Sequence, residues 1–167
     1  MSVRGKNIPQ DTDHKDCFAC GSGNGNGLGL QFHSGADGCV CGHFLVTPKF
    51  QGYSGILHGG ITATLLDSAM THCLLTQDIP ALTGKLSIRY HFPIRTGDIV
   101  KLEARILDQY HTMFIIEGKA SVDGKLVASA EAKYVKPGRF GFFGTGRPVP
   151  FAPDPDFTLF PPKCPTT

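Results

Sequence analysis

The chain has 167 residues, 41% of them hydrophobic, and its 16 Lys and Arg against 14 Asp and Glu give a net charge of +2. This length favours a single domain with a substantial core. The small net charge argues against nucleic acid as a partner. Because no apolar run approaches the roughly 18 residues of a membrane span, no membrane segment is expected.

Residues 1–16 are polar and without pattern, which predicts a flexible lead-in that contains no apolar signal segment. The six cysteines need not be paired in a chain of this size and hydrophobic content. We therefore expect a cytoplasmic protein with free thiols.

Glycine and asparagine dominate residues 17–27, so turns are expected there. Apolar residues then alternate from Leu28 to Phe32 and again from Val40 to Val46. This pattern predicts two short strands, joined by a hairpin turn at Gly35 to Gly38.

One long amphipathic helix is predicted within Gly52 to Leu75, where a glycine-rich loop runs into residues with helical spacing. The buried face is marked by Ile61, Leu65, Leu66, Ala69, Met70, Cys73 and Leu74. A second, narrower stripe places one carboxylate among small and hydroxylated residues: Gly60, Thr64, Asp67 and Thr71.

Four strands with strict apolar alternation follow, at Leu86 to Phe92, Val100 to Ile106, Phe114 to Val122 and Leu126 to Tyr134. The links are short, and Asp123-Gly124 is a strong two-residue hairpin signal, so the strands should be antiparallel. The predicted fold class is therefore α+β, with a curved antiparallel sheet of about six strands wrapped around one central helix.

The last segment, residues 137–167, is rich in proline and phenylalanine, so little regular structure is expected there. The predicted domain thus spans residues 17–136. The segment after it is either a flexible tail or a docking element for a partner subunit or pocket, through Phe140, Phe142, Phe143, Phe151, Phe157 and Phe160.

The start of the predicted helix and the carboxylate within it together suggest acyl transfer from a thioester to water. The Gly59 N–H, at a helix end that favours negative charge, suits a donor to the carbonyl oxygen, and Asp67 suits a base or nucleophile. Eight residues of helix rise about 12 Å, too far for both groups of one chain to reach one carbonyl. The hypothesis therefore predicts a homodimer with shared sites.

Each of these residues also has a plain structural interpretation. Asp67 could lie on a solvated helix face, His58 could cap the helix, and Gly59 and Gly60 could serve only the turn. The combination of His-Gly-Gly, the helix start and the spacing to Asp67 favours the functional interpretation.

The segment GILHGGITATLLDSAM resembles the signature of hotdog-fold acyl-CoA thioesterases of the phenylacetyl-CoA type. TGKLSIRYHFP, RTGDIVKLEARI, DGKLVASAEAKYV and CFACGSGNGNGLGLQF are similar to further segments of that family. The resemblance implies a dimer or a dimer of dimers. In it, Asp67 would be nucleophile or general base, Gly59 would polarise the carbonyl, His58 would orient the site and Thr83 would position water.

The resemblance implies hydrolysis of an acyl- or aryl-CoA thioester to the free acid and coenzyme A, without a cofactor. Some relatives carry Asn where this chain has Gly52, and the adjacent Gln51 could substitute for it. Substrate binding is assigned to Gln51 and to Gly60 and Thr64 of the helix stripe. Basic side chains near the mouth of the site could meet the coenzyme A phosphates, namely Lys85, Arg89, Lys136 or Arg139.

Two other functions remain open from the sequence. The first is a non-catalytic hotdog dimer that binds an acyl-CoA or serves as a scaffold. The second is a dehydratase, because the fold also supports that chemistry.

A metal site is the alternative explanation of the cysteines. Cys17 and Cys20 have ligand spacing, and Cys39, Cys41 and His43 could complete a zinc site. Alternate residues of a strand lie roughly 6 to 7 Å apart, so Cys39 and Cys41 cannot both bind one ion without a bulge. One of them with His33 or His14 would remain possible, but the thiols are expected to bind no metal.

Overall fold

The computed structural model describes residues 6–7, 14–35 and 38–136. The predicted Pro/Phe-rich tail, including its six phenylalanines and Arg139, lies outside these residues, as does most of the predicted lead-in. Within the described part of the chain, no helix is long and apolar enough to cross a membrane.

Within the described ranges one long helix, α1, runs from Gly59 to Leu75 and forms the centre of the fold. The predicted apolar face is buried, with Leu65, Leu66, Ala69, Met70 and Cys73 fully excluded from solvent. The helix prediction is therefore confirmed in position and in orientation.

A seven-stranded sheet surrounds this helix, and every neighbouring pair of strands is antiparallel. In space the strands follow the order β1-β2-β3-β5-β6-β7-β4. Their bounds are β1 Lys6–Asn7, β2 Phe32–Ser34, β3 Val40–Leu45, β4 Leu82–Tyr90, β5 Ile99–Tyr110, β6 Met113–Val122 and β7 Lys125–Val135. Since α1 touches β2 through β7, the sheet curves around it as predicted.

The sequence did not predict β1. This two-residue strand lies inside the expected lead-in and pairs with β2. The strand predicted from Leu28 is also shorter than expected and begins only at Phe32. Leu28 and Leu30 are buried, but their N–H groups donate to the carbonyls of Phe18 and Ala19 in the preceding loop. Their alternation therefore reflects packing against that loop and not a sheet ladder.

The described sheet has three register shifts, in β4, β5 and β7, and each changes the face that the following side chains present. In β4, Thr83 and Lys85 are opposite consecutive residues of β7, so Gly84 is an extra residue between them. In β7 the extra residue is Val127, which is buried, whereas Leu126 is 38% exposed. The prediction that Leu126 faces the core is therefore wrong, because a bulge reverses the alternation beyond it.

The turn between β6 and β7 is the one predicted. Asp123 and Gly124 both have positive φ, at 49° and 78°, as a two-residue turn of this hand requires. Together with the extra residue Val127, it places Tyr134 on the buried face opposite Thr83.

Candidate active site

Asp67 lies in the middle of α1 and is half-buried. Its Oδ1 atom accepts two hydrogen bonds, from the Thr83 hydroxyl at 2.8 Å and from the Tyr134 hydroxyl at 2.9 Å. No hydrogen bond to its Oδ2 atom is recorded among the described residues. The two donors thus fix the carboxylate and leave one oxygen available for chemistry.

Thr83 reaches Asp67 because of the bulge in β4. Strict alternation would place Thr83 on the outer face together with Lys85, away from the helix. The extra residue Gly84 shifts the alternation of side chains along β4 by one position, so that Thr83 pairs with Tyr134 on the inner face. A glycine inside a strand pattern is the sequence signal for such a bulge.

Tyr134 is a residue of this site that the sequence did not identify, since it was assigned only to the apolar face of its strand. Its side chain is fully buried, and its hydroxyl also lies 3.1 Å from the Thr71 Oγ and 3.0 Å from the Asp67 carbonyl oxygen. Burial, followed by the negative charge of Asp67, raises the pKa of the Tyr134 hydroxyl, which therefore stays protonated as a donor. A buried tyrosine hydroxyl needs a partner, and this requirement was the available signal.

The second half of the candidate site is the start of α1. His58 caps the helix, since its Nδ1 accepts from the Gly60 N–H at 2.9 Å. The carbonyl of His58 accepts from the N–H groups of Ile61 and Thr62. For the Gly59 N–H no partner is recorded in the described part of the chain, as expected for a first helical residue that is free to bind a ligand.

An open cleft of about 300 Å³ lies at this helix start. Gly59 and Thr62 line it from the helix, and the Tyr90 hydroxyl donates to the Gly59 carbonyl at 2.9 Å. The rest of the lining is mainly apolar: Ile56, Leu57, Tyr90, His91, Phe92, Pro93, Ile94, Val127 and Ala128. Asp67 is not part of this lining, so one chain presents the amide and the carboxylate in different places.

The other predicted binding residues serve local structure in the single chain. The side-chain carbonyl of Gln51 accepts from the Gly55 N–H at 3.1 Å, which occupies it within the loop before α1. A Cβ atom at Gly52 would lie 3.1 Å from the His58 ring, so the glycine permits that packing. Thr64 donates to the Gly60 carbonyl at 3.0 Å.

Lys85 and Arg89 lie exposed on the outer face of β4. Lys85 is directly opposite Lys133, so two like charges face each other across β4 and β7. No ion pair of Lys85 or Arg89 is recorded among the described residues. Lys136 lies elsewhere, with its ammonium 5.2 Å from the centre of the Phe114 ring.

Comparison with known proteins agrees with this architecture. Residues 54–129 match the Thioesterase superfamily. Acyl-coenzyme A thioesterase 13 of Homo sapiens is 32% identical over 99 residues, which cover 57% of this chain and 71% of that protein. A 3-hydroxyacyl-acyl-carrier-protein dehydratase FabZ of Syntrophotalea carbinolica is 40% identical over 57 residues, but these cover 34% of this chain and only 39% of the dehydratase.

Among solved structures, the crystal structure of a thioesterase superfamily protein matches with a TM-score of 0.66 and 26% identity. The match covers 70% of this chain and 61% of that one. One helix enclosed by a curved antiparallel sheet defines the hotdog fold, and the chain belongs to the thioesterase superfamily of that fold.

Proposed function

We propose that this protein is an acyl-CoA thioesterase that hydrolyses an acyl- or aryl-CoA thioester to the free acid and coenzyme A. The observation that carries the proposal is the Asp67 carboxylate, held through one oxygen by Thr83 and Tyr134 and without a hydrogen-bond partner at the other within the described residues. The similarity to an acyl-coenzyme A thioesterase supports the same substrate class.

In the proposed reaction, the thioester carbonyl oxygen accepts a hydrogen bond from the Gly59 N–H, which stabilises the negative charge of the tetrahedral intermediate. The Asp67 Oδ2 atom either attacks the carbonyl carbon or takes a proton from a water that attacks it. In both routes the carbon–sulfur bond breaks and coenzyme A leaves as a thiolate. By the first route an anhydride forms and water then hydrolyses it.

The proposal requires two subunits at each site. About 12 Å of helix separates Gly59 from Asp67, while a thioester carbonyl needs both within roughly 3 Å. Antiparallel helices related by a two-fold axis would bring Gly59 of one subunit to Asp67 of the other, giving two sites per dimer. The position of Asp67 outside the cleft lined by Gly59 supports this division.

The exposed cations of β4 are proposed to meet the phosphates of coenzyme A. Lys85 and Arg89 lie on the same outer face, each two register positions from the Ser87–Glu131 pair that lies between them. Replacing either cation should raise KM in a salt-dependent manner while leaving kcat nearly unchanged, because the phosphates lie far from the reacting carbonyl.

A dehydratase is the second candidate, since the dehydratase of Syntrophotalea carbinolica is among the similar proteins. It would convert a 3-hydroxyacyl thioester to an enoyl thioester without releasing a thiol. A non-catalytic acyl-CoA-binding protein would bind the same ligands and release nothing.

The test is thiol release from a panel of short-chain, aromatic and long-chain acyl-CoA substrates, run beside a 3-hydroxyacyl substrate followed for dehydration. We expect thiol release by the wild type and a loss of at least about 100-fold in kcat for Asp67→Asn. Asp123→Asn, in an exposed turn, is the matched control and should retain activity. Absence of thiol release, or an Asp67→Asn variant with full activity, would refute the proposal.

A further inference from the structure

A second cluster of reactive side chains lies in the loop before β2, outside the proposed active site. The ligand atoms of His14, Cys17 and Cys20 all lie within 4.8 Å of one another. The Cys20 sulfur is 3.8 Å from the His14 Nδ1 atom. Two ligand atoms on one tetrahedral zinc are about 3.5 to 3.8 Å apart, so this spacing already suits a shared ion.

The backbone of the loop holds the cluster in place. The Cys17 N–H donates to the His14 carbonyl at 3.1 Å, and the Gly21 N–H donates to the Cys17 carbonyl at 2.9 Å. A Cβ atom at Gly21 would lie 2.4 Å from both the Cys17 nitrogen and the Lys15 oxygen, so only glycine fits there. This tight turn directs the three side chains toward one point.

A buried imidazole on α1 stands next to the cluster. The His72 side chain is 4% exposed, and its Nδ1 lies 2.8 Å from the Ser68 carbonyl oxygen, to which it can donate. Histidine ligands commonly use one nitrogen in this way and bind the ion with the other. The His72 and His14 ring centres are 6.5 Å apart, and an approach on the order of 1 Å would place both on one zinc.

We propose that His14, Cys17 and Cys20 bind one divalent ion of the zinc class and that His72 is its fourth ligand. Two thiolates and two imidazoles are the ligand set that zinc prefers, and binding would release the two thiol protons to solvent. The ion would tie the N-terminal loop to α1 and so stabilise the fold. Of the cysteines and histidines considered from the sequence, His33, Cys39, Cys41 and His43 take no part.

The test is metal analysis of the full-length protein purified without chelator, together with titration of its thiols. We expect about one zinc per chain and protection of two thiols until the ion is removed. Cys17→Ser and Cys20→Ser should lose the ion. Cys41→Ser, which changes a half-buried cysteine of β3 outside the cluster, is the matched control and should keep it.

A second measurement covers the case in which the cysteine variants do not fold. Wild-type protein stripped of metal is titrated with Co²⁺, and we expect thiolate-to-cobalt absorption that saturates at about one equivalent. Any of three results would overturn the site. They are wild-type chains with no metal and no cobalt absorption, a Cys17–Cys20 disulfide in freshly purified protein, and equal metal loss in Cys41→Ser. Full metal retention in a folded His72→Gln variant would overturn the assignment of the fourth ligand.

Discussion

The two oxygens of Asp67 are unequal, and the difference comes from two residues of distant strands. Thr83 of β4 and Tyr134 of β7 both donate to the same oxygen. A hydrogen bond to a charged group contributes about 1.5 to 3 kcal/mol, so together they hold the carboxylate in one orientation. Tyr134 is therefore a positioning residue in the proposed mechanism.

Tyr134→Phe tests this contact through the pH dependence of stability. The raised pKa of Tyr134 keeps its proton in the folded state, while an unfolded tyrosine releases its proton near pH 10. The contribution of the protonated Tyr134 hydroxyl to the free energy of unfolding is therefore complete below pH 10. It is lost as the pH rises, by up to about 1.4 kcal/mol per pH unit. We expect the variant to be less stable at pH 8 but to decline less steeply than wild type between pH 10 and 11.

Urea unfolding at pH 8, 10 and 11 measures this difference. Tyr53→Phe is the control because Tyr53 is 84% exposed, and its stability should follow that of the wild type at each pH. Parallel declines of wild type and Tyr134→Phe would contradict the prediction.

At the residue scale, the sequence predicted Asp67, Gly59 and His58, because their spacing along a helix is fixed by local geometry. The family resemblance also gave Thr83 as a site residue, but the sequence could not show that Thr83 and Tyr134 contact Asp67. The Thr83 contact depends on a one-residue bulge, which cannot be read from alternation alone. The role of Tyr134 in the site could not be predicted, because a tyrosine on an apolar strand face is assigned to the core until the partner of its hydroxyl is known.

At the scale of the element, the start of α1 allows one hydrogen-bond donor to be removed without disturbing the helix. His58 has φ −62° and ψ 131°, a conformation that residues preceding proline adopt, and the first helical position favours proline. Gly59→Pro therefore deletes the proposed oxyanion donor while the fold is kept. We expect a loss of about 100- to 1,000-fold in kcat with little change in thermal stability.

Gly59→Ala is the matched comparison, since it keeps the N–H and its Cβ would lie 3.7 Å from the Tyr90 hydroxyl, an ordinary contact. It should lose far less activity than Gly59→Pro. Equal kinetics of the two variants would show that the amide does not act on the carbonyl.

The His58 cap gives a separate prediction. His58→Ala leaves the Gly60 N–H without its acceptor and should cost about 1 kcal/mol of stability, whereas His58→Asn supplies a preferred capping side chain and should restore it. Chemical denaturation measures both. If kcat follows stability, His58 acts by ordering the helix start. A stable His58→Asn variant as inactive as His58→Ala would instead require the imidazole itself.

The elements themselves were largely predictable, for reasons that differ along the chain. Period-two alternation and the Asp123-Gly124 turn define β5 to β7, because neighbouring strands of a meander pair locally. β1 has too few residues to show a pattern. Leu28 and Leu30 mimic a strand because burial against a loop also produces alternation.

At the scale of the whole molecule, β4 is the part of the described sheet that most requires a partner. It ends the strand order, and none of its residues is fully buried. Leu82, Tyr90 and the following Phe92 are 37%, 54% and 48% exposed. A nine-residue edge strand whose ends carry these exposed apolar side chains offers a surface for association, which agrees with the proposed homodimer.

Subunit mixing tests whether each site is shared. Gly59→Pro and Asp67→Asn homodimers should both be nearly inactive, but a mixed dimer would hold one site with both lesions and one intact site. Unfolding the two variants together and refolding them should then restore about a quarter of wild-type activity, since about half of the dimers are mixed. Refolding each variant alone is the control, and no recovery on mixing would place both residues of a site in one chain.

The unequal oxygens of Asp67 also have an isotopic consequence. Covalent attack through Oδ2, the oxygen that Thr83 and Tyr134 leave open, would give an anhydride between Asp67 and the acyl group. Where water opens this anhydride at the Asp67 carbon, the new oxygen stays on the enzyme. After many turnovers in ¹⁸O-labelled water, a peptide containing Asp67 would then carry heavy oxygen. An aspartate that acts only as a general base would remain unlabelled.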